Sequence, residues 1–127
     1  SGIDVKILVP KIPDKKMVFK MTRAHYGDLL KAGVKIYEYT AGFNHAKNII
    51  VDDKMAMVGT VNIDYRSLLL HFECADFMAF DSSIIQMKND FLNAIKESEL
   101  ITHEAWQKRS MFEKFVGFWL NVISPLL

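Results

Sequence analysis

The amino-acid sequence predicts an α/β fold in which helices flank a mixed central sheet. Half of the 127 residues are hydrophobic and 24% are charged, which is the composition of an ordinary globular domain. Near the start of the chain, a strand, a helix and a second strand follow one another, and an apolar hairpin comes after them. Because a strand–helix–strand unit produces a parallel pair and a hairpin produces an antiparallel pair, the two patterns together predict a mixed sheet.

The strand–helix–strand unit occupies the first third of the chain. Ile3 to Val9 has the pattern of a buried strand, and the stretch Pro10 to Asp14 stops it. The following helix, roughly Lys15 to Ala32, is expected to end before Gly33, since glycine is common just beyond the last helical turn. Val34 to Tyr39 alternates again and predicts the second strand.

The hairpin and a further strand and helix follow. Ala46 to Val51 and Met55 to Gly59 are apolar runs on either side of the polar turn Asp52-Asp53-Lys54. Glu73 to Phe80 predicts a fifth strand, and Ser82 is expected to cap a helix. The apolar side of this helix consists of Ile84, Ile85, Met87, Phe91, Leu92 and Ile95.

Charge and cysteine content limit the classes of function. Sixteen basic and fifteen acidic residues give a net charge of +1, so an anion must be bound locally and no global field favours nucleic acid. The single cysteine, Cys74, excludes an internal disulfide, fits a reducing compartment and is expected to be a small buried residue. Because Ser1-Gly2 leads directly into a strand, we expect residues 1–127 to be a single domain cut from a longer protein.

The end of the chain, residues 111–127, is expected to form an apolar helix. Phe115 to Leu127 has no charged residue in thirteen positions, whereas Lys108, Arg109 and Lys114 lie just upstream. A helix that spans a bilayer needs about 20 apolar residues, so this segment is too short to span one. It is expected either to pack into the core or to lie in a membrane interface.

His45 and Lys47 are the strongest candidates for a functional site. Two residues apart in a strand, they point to the same side, where Lys47 could hold an anion that His45 attacks. Across the predicted hairpin, Gly59 would let the backbone approach a ligand, and Thr60 and Asn62 would offer a hydroxyl and an amide to phosphate oxygens. Hydrogen-bond donors together with a nucleophile are the groups that an enzyme needs to bind a phosphodiester and attack its phosphorus.

An attacking histidine also needs an acceptor that holds its second ring nitrogen. Glu73, on the next predicted strand, is the candidate, and Asp76 and His71 are its rivals. Asp52 has the opposite strand parity to His45, so we expect it to have a structural role at the turn.

Other interpretations of these residues are weaker. Taken one at a time, a strand histidine or a lysine is more often structural or solvated. His45, His71, His103 and Asp52 do not have the close spacing of metal ligands, and Lys47 would repel a cation. The chain has no Gly-x-Ser-x-Gly turn of a serine hydrolase. We therefore expect neither a metal nor another cofactor.

The combined pattern His45-x-Lys47-x4-Asp52-x6-Gly59-Thr60-x-Asn62 resembles the HKD motif of the phospholipase D superfamily. The surrounding sequence, GTVNIDYRSLLLHFE and the final Ser-Pro-Leu-Leu, is similar to the carboxy-terminal half of bacterial cardiolipin synthases. The resemblance implies a phospholipase D-like half-domain that needs no metal.

The resemblance also implies a role for each matching residue. His45 forms or protonates a phosphohistidine link, Lys47 and Asn62 bind the phosphate, Glu73 orients His45, and Asp52 completes the motif. Members of the family use two such motifs that face each other, with one histidine as the nucleophile and the other as the general acid. Since only one motif is present here, the isolated piece is expected to be inactive or weak. A missing amino-terminal half, or a second copy in a symmetric dimer, would supply the other motif.

The activity implied for the intact protein is transfer of a phosphatidyl group between phosphatidylglycerol molecules, which gives cardiolipin and glycerol. The intact enzyme is then expected at the inner cell membrane, with its site facing a reducing compartment, and the fragment itself is expected to be soluble. The alternatives are a phospholipase D-type phosphodiesterase, a phosphatidylserine synthase, a single-motif nuclease acting as a homodimer, and a non-catalytic phosphate-binding or partner-binding module. The near-neutral charge disfavours the nuclease, since nucleic acid calls for a basic groove.

Overall fold

The computed structural model describes residues 2–12 and 16–109. In chain order its elements are β1 (Lys6–Pro10), α1 (Lys16–Lys31), β2 (Lys35–Tyr39), β3 (Asn48–Val51), β4 (Met55–Gly59), α2 (Tyr65–Leu69), β5 (Ala75–Ala79), α3 (Ser83–Lys96), β6 (Ser98–Ile101) and α4 (His103–Gln107). They belong to two compact units, one drawn from Ser1–Asn44 and Glu97–Leu127 and the other from His45–Lys96. The second unit is therefore inserted in the sequence between β2 and β6 of the first.

The first unit contains a three-stranded mixed sheet with the order β1-β2-β6. β1 and β2 are parallel, with Lys6 opposite Lys35, so the predicted strand–helix–strand unit is confirmed. β6 was not predicted, and it pairs antiparallel with β2, with Ile36 opposite Ile101. The helix between the parallel strands ends at Lys31, and Gly33 has a φ of 89°, which fits its expected place after the last helical turn.

The core of the first unit lies where α1 covers this sheet. Tyr26, Ile36 and Ile101 are buried there, and four partly buried side chains pack against them, namely Val9, Leu30, Val34 and Trp106. Glu38 is also buried, and its Oε1 is 3.2 Å from both the Tyr26 hydroxyl and Arg23 Nε. A buried carboxylate is tolerated only when it is paired and hydrogen-bonded, and these two groups provide both.

The second unit contains an antiparallel sheet with the order β3-β4-β5, so the predicted hairpin is confirmed. At its turn, Asp52 and Asp53 have φ values of 49° and 57°, and Lys54 N donates to Val51 O over 3.1 Å. Two successive positive φ values define a type I′ turn, whose twist matches that of a two-stranded hairpin.

Helix α3 packs beside β3, and Ile84 in its first turn is buried. The side chain that accepts from this first turn belongs to Asp81, whose Oδ1 is 2.8 Å from Ser83 N, and not to Ser82 as the sequence suggested. Asp81 reaches this amide because it stands two residues before it, where a short acidic side chain can fold back onto the helix start.

The α/β class with mixed pairing and flanking helices is confirmed, although the strands are divided between two sheets. The predicted apolar helix at 111–127 lies outside the described residues. Among the helices within residues 2–12 and 16–109, none is both long and apolar enough to cross a bilayer.

Candidate functional site

Three segments that carry predicted site residues meet at one end of the β3-β4-β5 sheet. The Lys47 carbonyl accepts from Gly59 N over 3.1 Å, which places the segment before β3 beside the end of β4. On the other side, Gly59 is opposite Ala75, so the start of β5 reaches the same end. His45, Lys47, Thr60 and Glu73 therefore belong to three neighbouring segments, at the end of the hairpin farthest from its turn.

His45 and Lys47 converge as predicted, although both precede strand β3, which begins at Asn48, and are not in a strand. The Lys47 ammonium is 3.1 Å from His45 Nδ1 and 3.2 Å from Nε2, and it also donates to the His45 carbonyl over 3.0 Å. The ammonium thus lies against the imidazole ring, which is exposed, whereas the lysine is half-buried. An anion held by Lys47 would be in contact with the histidine ring.

Glu73 is bound to the end of β4. Its carboxylate accepts a hydrogen bond from the Thr60 hydroxyl, and this hydroxyl in turn accepts from Cys74 N over 3.1 Å. The hydrogen bond from Thr60, followed by one from Ser67, lowers the pKa of Glu73, because both donors favour the charged form. His71 Nδ1 is 3.9 Å from the same carboxylate. Glu73 is therefore an anchored anion, and its orientation of His45 stays a prediction.

Thr60 and Asn62 were predicted to bind phosphate, and the structure gives each a protein partner. The Thr60 hydroxyl proton is directed at Glu73, so a phosphate oxygen would have to compete for it. Asn62 is exposed and donates through Nδ2 to Ser67 Oγ over 3.4 Å. The amide can make a second donation, since it carries two N–H groups.

Ser67 is a site residue that sequence reasoning missed. It is buried, it accepts from Asn62, it donates to Glu73, and its backbone N–H donates to Asp64 Oδ1 over 2.7 Å. Ser67 therefore joins two residues of the candidate site. The spacing Asp64-x-x-Ser67 is that of a side chain capping the start of a helix, and it could have indicated that Asp64 binds the backbone N–H of Ser67.

Asp52 is far from the other motif residues. It belongs to the turn at the closed end of the hairpin, so a strand of five residues at about 3.3 Å per residue separates it from Gly59 by roughly 15 Å. Because aspartate tolerates positive φ, this position supports the structural role that its strand parity suggested. The neighbouring Asp53 pairs with Lys88 Nζ over 2.6 Å, which ties the turn to α3.

Two small residues, Gly59 and Cys74, lie at this end of the sheet, and the expectation for Cys74 was wrong. A Cβ on Gly59 would overlap the Cys74 carbonyl and Ala75, so the neighbouring chain itself requires glycine here, and the approach of a ligand to Gly59 stays a prediction. Cys74 is exposed and not buried, since it precedes β5 and contributes its backbone groups to Thr60. Within residues 2–12 and 16–109, no cluster of three or more His, Cys, Asp or Glu side chains is placed to hold a metal ion.

Comparison with known proteins identifies the family. A family model described as the phospholipase D-like domain of cardiolipin synthase matches residues 1–95. The chain belongs to this family. The matched region of the phospholipase D-like domain contains every predicted site residue, from His45 to Glu73, and it also contains the extra site residue Ser67.

Relatives of known sequence agree with this assignment. A cardiolipin synthase from Geobacillus sp. (strain WCH70) is 46% identical over the whole chain, and a cardiolipin synthase 2 from Bacillus cereus (strain ATCC 14579) is 42% identical over the same 127 residues. An uncharacterized protein from Streptococcus mutans is 47% identical over 99% of the chain. The chain spans about a quarter of the length of these relatives, 25% of the first two and 27% of the third.

Proposed function

We propose that the protein containing this chain is a phosphatidyltransferase that makes cardiolipin from two molecules of phosphatidylglycerol. The observation that carries the proposal is the contact between Lys47 and His45, which puts a phosphate-binding ammonium against a nucleophilic ring. The phospholipase D-like family and the cardiolipin synthases at 42–46% identity support a phospholipid as the substrate.

In the proposed reaction, His45 is one of two histidines that act on the same phosphorus. One histidine nitrogen attacks the phosphorus of phosphatidylglycerol, and the bond from phosphorus to the glycerol headgroup oxygen breaks. The departing glycerol takes a proton from the other histidine. A headgroup hydroxyl of a second phosphatidylglycerol then gives that proton back and attacks the phosphohistidine, so that the P–N bond breaks and cardiolipin leaves.

The described residues supply one half of this machinery. Lys47 and Asn62 hold phosphate oxygens, and Glu73 accepts from the second ring nitrogen of His45 once the substrate has ordered the ring. Asp52 maintains the hairpin turn. Thr60 fixes Glu73 before the substrate binds. In its predicted contact with the phosphate, the hydroxyl turns its one proton from Glu73 to a phosphate oxygen.

The second motif is proposed to come from another part of the longer chain. A single histidine cannot both attack phosphorus and protonate the leaving oxygen, because the two events occur on opposite sides of the phosphorus. The relatives are about four times as long as this chain, which leaves ample length for a second motif. A second copy of the chain is the alternative source. The intact protein is proposed to work at a membrane, where its lipid substrates are, without a metal cofactor.

The test is an assay of the full-length protein with phosphatidylglycerol labelled with ³²P. We expect cardiolipin and glycerol in equal amounts, an acid-labile label on the protein, and loss of product in His45→Ala. His25→Ala is the matched control, since His25 is exposed on α1 and belongs to the other unit. A His45→Ala variant with the wild-type rate would exclude this mechanism. Phosphatidic acid in place of cardiolipin would identify water as the acceptor, and hence a phospholipase.

A further inference from the structure

The connection between β4 and β5 carries an exposed apolar surface beside the candidate site. Five large apolar side chains in this connection are exposed, and we call them the apolar rim: Ile63, Leu68, Leu69, Leu70 and Phe72. The first four are 58–77% exposed and Phe72 is fully exposed. Single exposed apolar residues are common on proteins, but a run of this kind marks an interaction surface.

The apolar rim is continuous with the predicted phosphate site. It begins one residue after Asn62 and ends one residue before Glu73. Both ends of the rim are therefore bonded directly to residues of the candidate site.

The connection is shaped by its own hydrogen bonds. The Thr60 hydroxyl joins the two ends of the connection through its contacts with Glu73 and with Cys74 N. Its middle is held by Ser67, which is turned inward and buried. Ser67 thus faces the inside of the connection, whereas the five side chains of the apolar rim are exposed on its outside.

The two acidic side chains next to the rim are hydrogen-bonded within the connection. The carboxylate of Asp64 is turned toward Ser67 N, at 2.7 Å, and Glu73 is turned toward Thr60.

We propose that the apolar rim inserts into the acyl region of a phospholipid bilayer and so brings the headgroup phosphate to Lys47 and Asn62. This inference rests on the proposed function. A phospholipid carries its acyl chains a few bonds from its phosphate, so an enzyme that takes it from a bilayer needs an apolar surface next to the phosphate site. The apolar rim adjoins the predicted phosphate site in the chain, since it begins directly after Asn62.

The test uses the full-length protein and two forms of phosphatidylglycerol. One is dioleoylphosphatidylglycerol in vesicles, and the other is dihexanoylphosphatidylglycerol dissolved below its micelle concentration. We expect the ratio of the vesicle rate to the dissolved rate to fall at least tenfold in a Leu70→Ser, Phe72→Ser double variant. The matched control is Leu100→Ser, on β6 in the other unit, since its side chain is also exposed and its ratio should equal that of the wild type.

A second variant measures insertion without any catalytic step. Phe72→Trp adds an indole at a fully exposed position, so no packing is lost. We expect vesicles to shift its emission to shorter wavelength, and we expect brominated acyl chains to quench it beyond the quenching of the wild-type protein.

The outcomes separate the rim from the proposed function. An unchanged ratio in the double variant, or equal loss on both substrates, would overturn the proposal, and the second result would mean that the rim packs against another part of the longer chain. Absence of extra quenching in Phe72→Trp would overturn it as well. If the wild-type protein transfers nothing with either substrate, the proposed function fails, while the quenching experiment still decides whether the rim inserts.

Discussion

The hydroxyl of Thr60 donates to the carboxylate of Glu73 and so joins the end of β4 to the residues that precede β5. Because this bond lowers the pKa of Glu73, its stabilising effect is complete above the ordinary pKa of a glutamate and is lost as the pH falls through the lowered value. We expect Thr60→Val to reduce the free energy of unfolding at pH 7 and to have a smaller effect at pH 3. Urea unfolding of the chain at both pH values measures this difference.

Thr60→Ser is the control for that experiment, since it keeps the hydroxyl and should keep the pH dependence of the wild type. Equal losses for Thr60→Val at pH 7 and pH 3 would mean that the valine acts through packing and not through the charge of Glu73.

The Lys47 ammonium is expected to stabilise the charge on the transferred phosphate. In the full-length protein, Lys47→Met should lower the rate of lipid transfer by about 10²–10³-fold, which is the usual cost of removing one preorganised donor from a reacting oxyanion. Lys54→Met, in the exposed hairpin turn, removes the same charge at the other end of the strands and should have little effect. A similar loss in both variants would point to a general effect of charge.

Asp52 is expected to act through the conformation of the backbone. With a φ of 49°, the position favours Asn, Asp or Gly, and a β-branched residue should cost about 1–2 kcal/mol there. We therefore expect Asp52→Asn to keep both stability and transfer activity, and Asp52→Val to lower the free energy of unfolding by that amount. If Asp52→Asn is fully stable but inactive, the carboxylate takes part in the chemistry.

A substitution at Gly59 tests the close approach of β4 and β5. A methyl group at this position would overlap backbone atoms of the neighbouring strand, which cannot move as a side chain can. We expect Gly59→Ala to lower the free energy of unfolding by about 1–3 kcal/mol, the range for overpacking. Gly42→Ala is the control, because a Cβ there would have no heavy atom within 4 Å. Thermal unfolding of both variants gives the comparison.

The sequence predicted the elements whose signal is local. The parallel pair, the hairpin and α3 follow from alternation and helical periodicity, together with Gly33 and the polar turn at Asp52. The strand β6 was missed because it has only four residues and follows α3 after Glu97, with neither glycine nor proline to mark the change. Its partner β2 is distant in sequence, and single-sequence patterns carry no information about such pairings.

For the site, the motif spacing predicted that His45 and Lys47 converge. Both lie before β3, however, and they meet because the Lys47 side chain folds back onto the ring and the carbonyl of His45. The hydrogen-bond partners of Glu73 were harder to predict from the sequence. Its bonds to Thr60 and Ser67 depend on how the connection between β4 and β5 folds back on itself, and no periodicity governs such a connection. The role of Gly59 likewise depends on the register with β5, which a sequence pattern does not fix.

The insertion of the second unit between β2 and β6 also sets an order of events during translation. β2 emerges from the ribosome long before Ser98–Ile101, so one edge of this central strand remains unpaired while all of His45–Lys96 is synthesised. An unpaired edge is a template for aggregation, and the nascent chain carries it until β6 arrives. A stop codon before Ser98 would therefore leave the site-bearing unit complete, but the sheet of the first unit would permanently lack β6.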